Sequence, residues 1–303
     1  MLTKAVLAVL CLIIFPQAGY EGQFLLPTSE QDQVIERNQR LALPFKETAS
    51  LGVELEAKSA IVLDGASGKV LFAKNSQQAL PMASLTKMMT AVVVLESGVD
   101  LEDTLEIDGE MVGVEGADIN LVPGEEMRVG DVLHGLLISS GNDAARALAK
   151  KVGGDIGSFV EMMNAKGQAI GLKNTHFANP SGLDEAGHFS TAEDLAVLAN
   201  YVYQNPVFKE IVALKESDIQ SVNIGDNHHL RNTNKLLQAN YSYLLGGKTG
   251  YTEEAGFCLT TFAAEEKGQH QIVTVVLGSE LNGQQFQDSK ALIEWTYNNY
   301  RWQ

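Results

Sequence analysis

Ser84 and Lys87 stand three residues apart in Ser84-Leu-Thr-Lys87, a spacing that puts both side chains on one face of a helix. The start of a helix carries partial positive charge, and burial there further disfavours a protonated amine. A neutral amine beside a hydroxyl is a general base for a serine nucleophile. The plainer reading is a serine cap followed by a surface lysine. Against it, Met82 to Ser97 is apolar nearly all round (Leu85, Met88, Met89, Ala91, Val92, Val93, Val94, Leu95), the pattern of a buried helix with little solvent face for a lysine.

Two further strings hold chemistry-bearing residues. Ser139-Ser-Gly-Asn-Asp143 follows an apolar helical stretch and reads by itself as a helix–turn–helix joint, with Ser and Asn as caps and Gly turning. In a chemical reading Ser140 relays a proton and the Asn142 amide holds a substrate backbone. Gly246-Gly-Lys-Thr-Gly250 is not a phosphate loop, because the required earlier glycine falls at Ser242 and strands follow. Its glycines permit close approach of another backbone, so an extended peptide could pair with it at a sheet edge. Lys248 and Thr249 would then hold a terminal carboxylate.

These strings must be positioned by a larger frame. Ser59 to Leu63 and Lys69 to Ala73 read as strands joined by a glycine-rich turn, and Thr104 to Arg128 as short strands. Val129 to Ile138, Asp143 to Val152, Asp155 to Ile170 and Thr191 to Gln204 read as helices. Asp218 to Ile224, Gly246 to Thr252, Gly256 to Ala264 and Gln271 to Gly278 read as strands, and Phe286 to Tyr300 as a closing helix. Strands, a helical block, then strands and a helix fit an α+β layout in which both ends of the chain share one antiparallel sheet.

In this order the strings resemble the SxxK, SxN and KTG motifs of the serine D-alanyl-D-alanine carboxypeptidases, the low-molecular-mass penicillin-binding proteins. Pro81 to Ala91, Asn179-Pro-Ser-Gly-Leu183, His188 to Leu195, Asn232-Thr-Asn234 and Ala255 to Leu259 are similar to further stretches of that family. The resemblance runs from about Ala57 to Trp302. It implies a β-lactamase/DD-peptidase-like fold, a central antiparallel sheet flanked by helices with an all-helical lobe. It implies catalytic roles for Ser84 as nucleophile, Lys87 as base and Ser140 as relay. Asn142, Lys248, Thr249, Gly250 and Tyr251 would bind substrate, with the Ser84 and Tyr251 N–H groups as oxyanion hole. Peptidoglycan stem peptides are then the substrates and β-lactams the covalent inhibitors, with no metal or cofactor.

The sequence departs from the family in two ways. Some relatives carry His where Tyr251 stands. Many continue into an all-β domain and an amphipathic membrane helix, neither of which is seen here, as in soluble endopeptidase members that cut cross-links. Ser140-Gly-Asn142 favours carboxypeptidase over endopeptidase. A β-lactamase would need a water-activating glutamate; Glu185 and Glu193 lie in the general region, in a peptidase-like context. A penicillin-sensing module would come with membrane signalling segments.

Address and composition narrow the rest. Lys4, the apolar run Ala5 to Phe15 and Pro16-Gln-Ala-Gly19 suggest a signal peptide over 1–18, too short for a comfortable membrane span, followed by a polar leader over 19–55 and a catalytic domain over 56–303. That places the protein in the periplasm or cell-wall space. Of the two cysteines, Cys11 would leave with the signal peptide, so Cys258 has no disulfide partner. A net charge of −16 argues against nucleic acid as a partner. The six histidines lack metalloprotease spacing and read as structural or surface residues, with His228 and His229 on opposite sides of a strand.

Overall fold

Burial on both faces decides which strands form the centre. A computed structural model describes residues 42–265 and 268–303. The signal-peptide reading, Cys11 and residues 19–41 of the leader lie outside the described residues. Strand β2 (Ser59–Asp64) is buried at every position. Ile61 and Leu63 enter the larger core while Ala60 and Val62 enter a second one, as a central strand requires.

The sheet runs β3-β2-β10-β9-β8, with β3 at Val70–Lys74, β8 at Leu244–Thr252, β9 at Gly256–Ala264 and β10 at Gln271–Ser279. All four pairings are antiparallel. The two ends of the chain do share the sheet, since β2 pairs with β10 from Ser59↔Leu277 to Asp64↔Ile272. Helix α8 (Gln284–Asn299) covers one face through Leu292 and Ile293.

The other face carries the helical block: α1 (Lys87–Glu96), α2 (Val129–Leu137), α3 (Asn142–Gly153), α4 (Ile156–Ala169) and α5 (Ala192–Val202). Eight of the ten residues of α1 are buried, Lys87 among them, so the apolar pattern does mark a buried helix. Asp155 caps α4 and Thr191 caps α5 by accepting from Ser158 and Asp194 N–H groups. Two short antiparallel pairs stand apart, β4–β5 (Thr104–Glu106, Glu126–Arg128) and β6–β7 (Glu216–Gln220, Asn227–Arg231).

Several elements differ from the sequence reading. Residues 83–86 form a 3-10 turn, and the α-helix starts only at Lys87. Helix α6 (Pro206–Ala213) was missed although Asn205 caps it and proline opens it, as was the one-turn α7 (Lys235–Gln238). Strand β1 (Pro44–Lys46), inside the stretch read as leader, pairs with β11 (Tyr300–Trp302), inside the stretch read as closing helix.

Candidate active site

The site is built around a strained turn. Ala83 has φ 48°, in the left-handed region that costs an alanine of order 1–3 kcal/mol, so its neighbours must hold it there. Two glycines wedge it. A Cβ on Gly182 would stand 2.0 Å from the Ala83 carbonyl oxygen, and one on Gly250 would stand 3.0 Å from Ser84 N. Only residues without side chains let the 181–183 loop and strand β8 close on the turn.

Lys87 Nζ lies 2.9 Å from Ser84 Oγ and donates to Asn142 Oδ1 and to the Ser181 carbonyl, each at 2.6 Å. A neutral amine has two hydrogens and one lone pair. The two carbonyl oxygens take the hydrogens, which leaves the lone pair for the serine hydroxyl. Burial drives the Lys87 pKa well below that of an ordinary lysine, the charge of Lys248 adds to the fall, and Asp143 opposes it. This arrangement can withdraw the Ser84 proton.

Opposite stands a second lysine–serine pair. Ser140 also has a left-handed backbone, φ 65°, and its Oγ accepts from Lys248 Nζ at 2.8 Å. Lys248 donates further to the Thr249 carbonyl at 3.0 Å, and burial pushes its pKa down to about 7. Thr249 and Thr233 touch through their hydroxyls. Asn142 is held in place: its Nδ2 donates to the Glu115 carbonyl at 2.6 Å while its oxygen accepts from Lys87. Its side-chain amide, expected to hold substrate, is thus engaged with the protein itself. Asp143 ties the 117–121 loop to α3 by accepting from the N–H groups of Ile119, Leu121 and Ala144. Burial raises its carboxyl pKa, and these backbone bonds pull the other way.

Ser84, Ser140, Asn142, Thr249, Gly250 and Tyr251 line one cleft of 350 Å³, and Lys87 and Lys248 are buried behind it. Among the described residues no Asp or Glu lines it, despite a chain charge of −16. A cleft lined by several hydroxyls and Lys235, with Lys248 buried behind it and no carboxylate among those lining residues, suits an anionic end group. Tyr251 is 55% exposed and stacks on Phe257 with ring centroids 4.3 Å apart, making one wall.

The residues expected from sequence are therefore brought together. Sequence reasoning gave no role to Ser181, Gly182, Asp143, Thr86 or His188, all of which touch this machinery. Thr86 and Asp143 lie inside strings read for their chemistry, while the stretches of Ser181, Gly182 and His188 stood out only through the family resemblance. His188 is buried, and its Nε2 lies 2.7 Å from the hydroxyl of Thr86, two residues beyond Ser84. The pair His228–His229 does face opposite sides, with His228 buried on Glu125 at 2.7 Å and His229 exposed beside Asp218.

Comparisons with known proteins give the family and the fold. The peptidase S11 family model, described as D-alanyl-D-alanine carboxypeptidase, matches residues 45–280. The chain is 36% identical over 249 residues to the D-alanyl-D-alanine carboxypeptidase DacF of Bacillus subtilis, covering 81% of this chain and 63% of that protein. It is 37% identical over 217 residues to a D-alanyl-D-alanine endopeptidase of Pseudomonas aeruginosa, covering 71% and 70%. Its fold is similar to that of the Streptomyces K15 DD-transpeptidase, with TM-score 0.78, 29% identity, and 82% and 100% of the two chains covered. The chain spans a little under two thirds of the length of the DacF carboxypeptidase.

Proposed function

The chain belongs to the peptidase S11, D-alanyl-D-alanine carboxypeptidase family, and from that membership we propose that it is a serine DD-carboxypeptidase trimming the terminal D-alanine from peptidoglycan stem pentapeptides. The observation that carries the reading is the buried Lys87 amine, whose Nζ lies 2.9 Å from Ser84 Oγ and 2.6 Å from both the Asn142 Oδ1 and the Ser181 carbonyl oxygen.

In this reading Ser84 Oγ attacks the carbonyl of the penultimate D-alanine as Lys87 takes its proton. The oxyanion is stabilised by the N–H groups of Ser84 and Tyr251, in a site from which water is displaced. Ser140, held by Lys248, delivers a proton to the leaving nitrogen of D-alanine. Lys248, Thr249 and the backbone at Gly250 grip the substrate's terminal carboxylate and extended chain, and Asn142 lines the cleft. Water then attacks the acyl ester on Ser84 and frees the shortened peptide. A β-lactam enters the same cleft and acylates Ser84. Action on peptidoglycan goes with export by the signal sequence proposed over 1–18, ahead of a leader over 19–55 and a catalytic domain over 56–303.

A pentapeptide ending in D-Ala-D-Ala should release D-alanine. Ser84→Ala should lower that release at least ~10³-fold and abolish labelling by fluorescent penicillin. Retained activity or labelling in that variant sinks the reading. A second reading, cleavage of D-alanyl cross-links, is favoured only by the 37% identity to the endopeptidase named above. A cross-linked dimer offered beside the pentapeptide separates the two by which is cut faster.

A further inference from the structure

Behind the nucleophile turn, three hydrogen bonds in series end on the peptide that carries the Ser84 N–H. The Ala178 N–H donates to His188 Nδ1 at 3.0 Å. That nitrogen therefore has no proton, and the neutral ring carries its proton on Nε2. Nε2 lies 2.7 Å from Thr86 Oγ1, and Thr86 Oγ1 donates to the Ala83 carbonyl at 2.8 Å. Burial pushes the ring pKa down to about 4; His176 and Lys87 add to the fall, and Glu185 and Asp184 oppose it. The ring stays neutral and the donors run in one direction, from His188 through Thr86 to Ala83.

The C=O and N–H of a trans peptide point in opposite directions. Pinning the Ala83 oxygen on Thr86 therefore fixes the direction of the Ser84 N–H. The pin has something to hold, because Ala83 at φ 48° has no intrinsic preference for this conformation. Ser84 N faces strand β8, 3.0 Å from where a Cβ on Gly250 would stand, beside Tyr251. Donation into the Ala83 carbonyl also polarises the amide and strengthens its N–H as a donor.

We infer that Thr86 and His188 are positioning residues, which act through the Ala83 carbonyl to aim the Ser84 N–H into the cleft as a donor for developing negative charge. The inference rests on the reading of Ser84 as nucleophile. It differs from a bracing role, in which the two residues only hold the loop around His188 against the helix.

The test uses the full chain with Thr86→Val, Thr86→Ser, His188→Gln and His188→Asn. It measures kcat and KM on a D-Ala-D-Ala peptide, affinity for a peptide boronic acid that forms a tetrahedral adduct, and thermal melting. Thr86→Val should lower kcat by roughly 10–100-fold, less than outright loss of an oxyanion donor. Its KM should stay within about threefold while boronate affinity falls in step with kcat. Thr86→Ser should recover to within about threefold of wild type. His188→Gln can still donate from the Nε2 position and should exceed His188→Asn, which keeps only the acceptor for Ala178. A Thr86→Val enzyme with wild-type kcat overturns the inference, and so does a lower melting temperature with unchanged boronate affinity. If Thr86→Val does not fold, the His188 pair decides, and Asn equal to Gln overturns it. A wild-type chain that releases no D-alanine, or an active Ser84→Ala variant, defeats the parent reading and this one together.

Discussion

Lys87 and Lys248 are the same residue in nearly the same setting, each buried and each within 2.9 Å of a serine hydroxyl. Their differing acceptors give them different work. Lys87 meets two carbonyl oxygens besides its serine, enough to occupy both hydrogens of a neutral amine. Lys248 meets one carbonyl and a hydroxyl, and its pKa near 7 leaves it able to hold or lose a proton at neutrality. Burial alone does not make a lysine a base; the count and kind of acceptors around it decide.

The sharpest way to break this comparison is Lys87→Met, which keeps the shape and removes the base. Penicillin acylation should fall by roughly 10²–10⁴-fold, while the melting temperature holds or rises because a buried amine has gone. An acylation rate near wild type would mean that the base is elsewhere. Next comes His188, on the Lys87 side of the cleft. Its folded pKa of about 4 lies below the usual 6.5, so its stabilising contribution is full above pH 6.5 and lost as pH falls through 4. Urea unfolding at pH 7 and pH 4 should show about 3 kcal/mol more acid loss in wild type than in His188→Gln.

On the other side, Lys248→Gln should lower kcat/KM for carboxylate-ended peptides by roughly 10–100-fold. Because Lys248 is cationic below about pH 7 and neutral above it, wild type should show an alkaline limb near that pH, which Lys248→Arg removes. The smallest effect is expected of Asp143→Asn, about 1–2 kcal/mol of stability from weakened loop bonds. Since Asp143 supports the charged form of Lys87, the same variant should move the acid limb of kcat/KM to lower pH. An unmoved limb would show that the two sides of the cleft do not communicate through charge.

The site was legible where chemistry demands fixed spacing. Ser84 to Lys87 and Lys248 to Thr249 are local pairs whose types and intervals survive without knowledge of the fold. What was not legible is backbone strain. Ala83 and Ser140 adopt left-handed conformations that glycine normally announces, and their neighbours enforce them instead. The partners of Asn142 were hidden for a related reason, because Lys87 and Glu115 are distant in sequence and unknowable from a turn-like string. The frame followed the same rule. Long buried strands and amphipathic helices were legible, whereas β1 and β11 are three-residue strands whose pairing spans nearly the whole described chain. Helix α6 carried its signals in Asn205 and Pro206, and these were passed over.

The pairing of β2 with β10 also sets a timetable. Ser84 and Lys87 are made early, within the first third of the chain, but Lys248 and the strand that closes on Ser84 come more than 150 residues later. Contacts this far apart form late, after the cost of closing a long loop has been met. A partly made chain therefore carries Ser84 without its second lysine, its edge strand or its cleft. The cleft is complete only when the last strands arrive, so the order of synthesis itself keeps its two lysine–serine pairs apart.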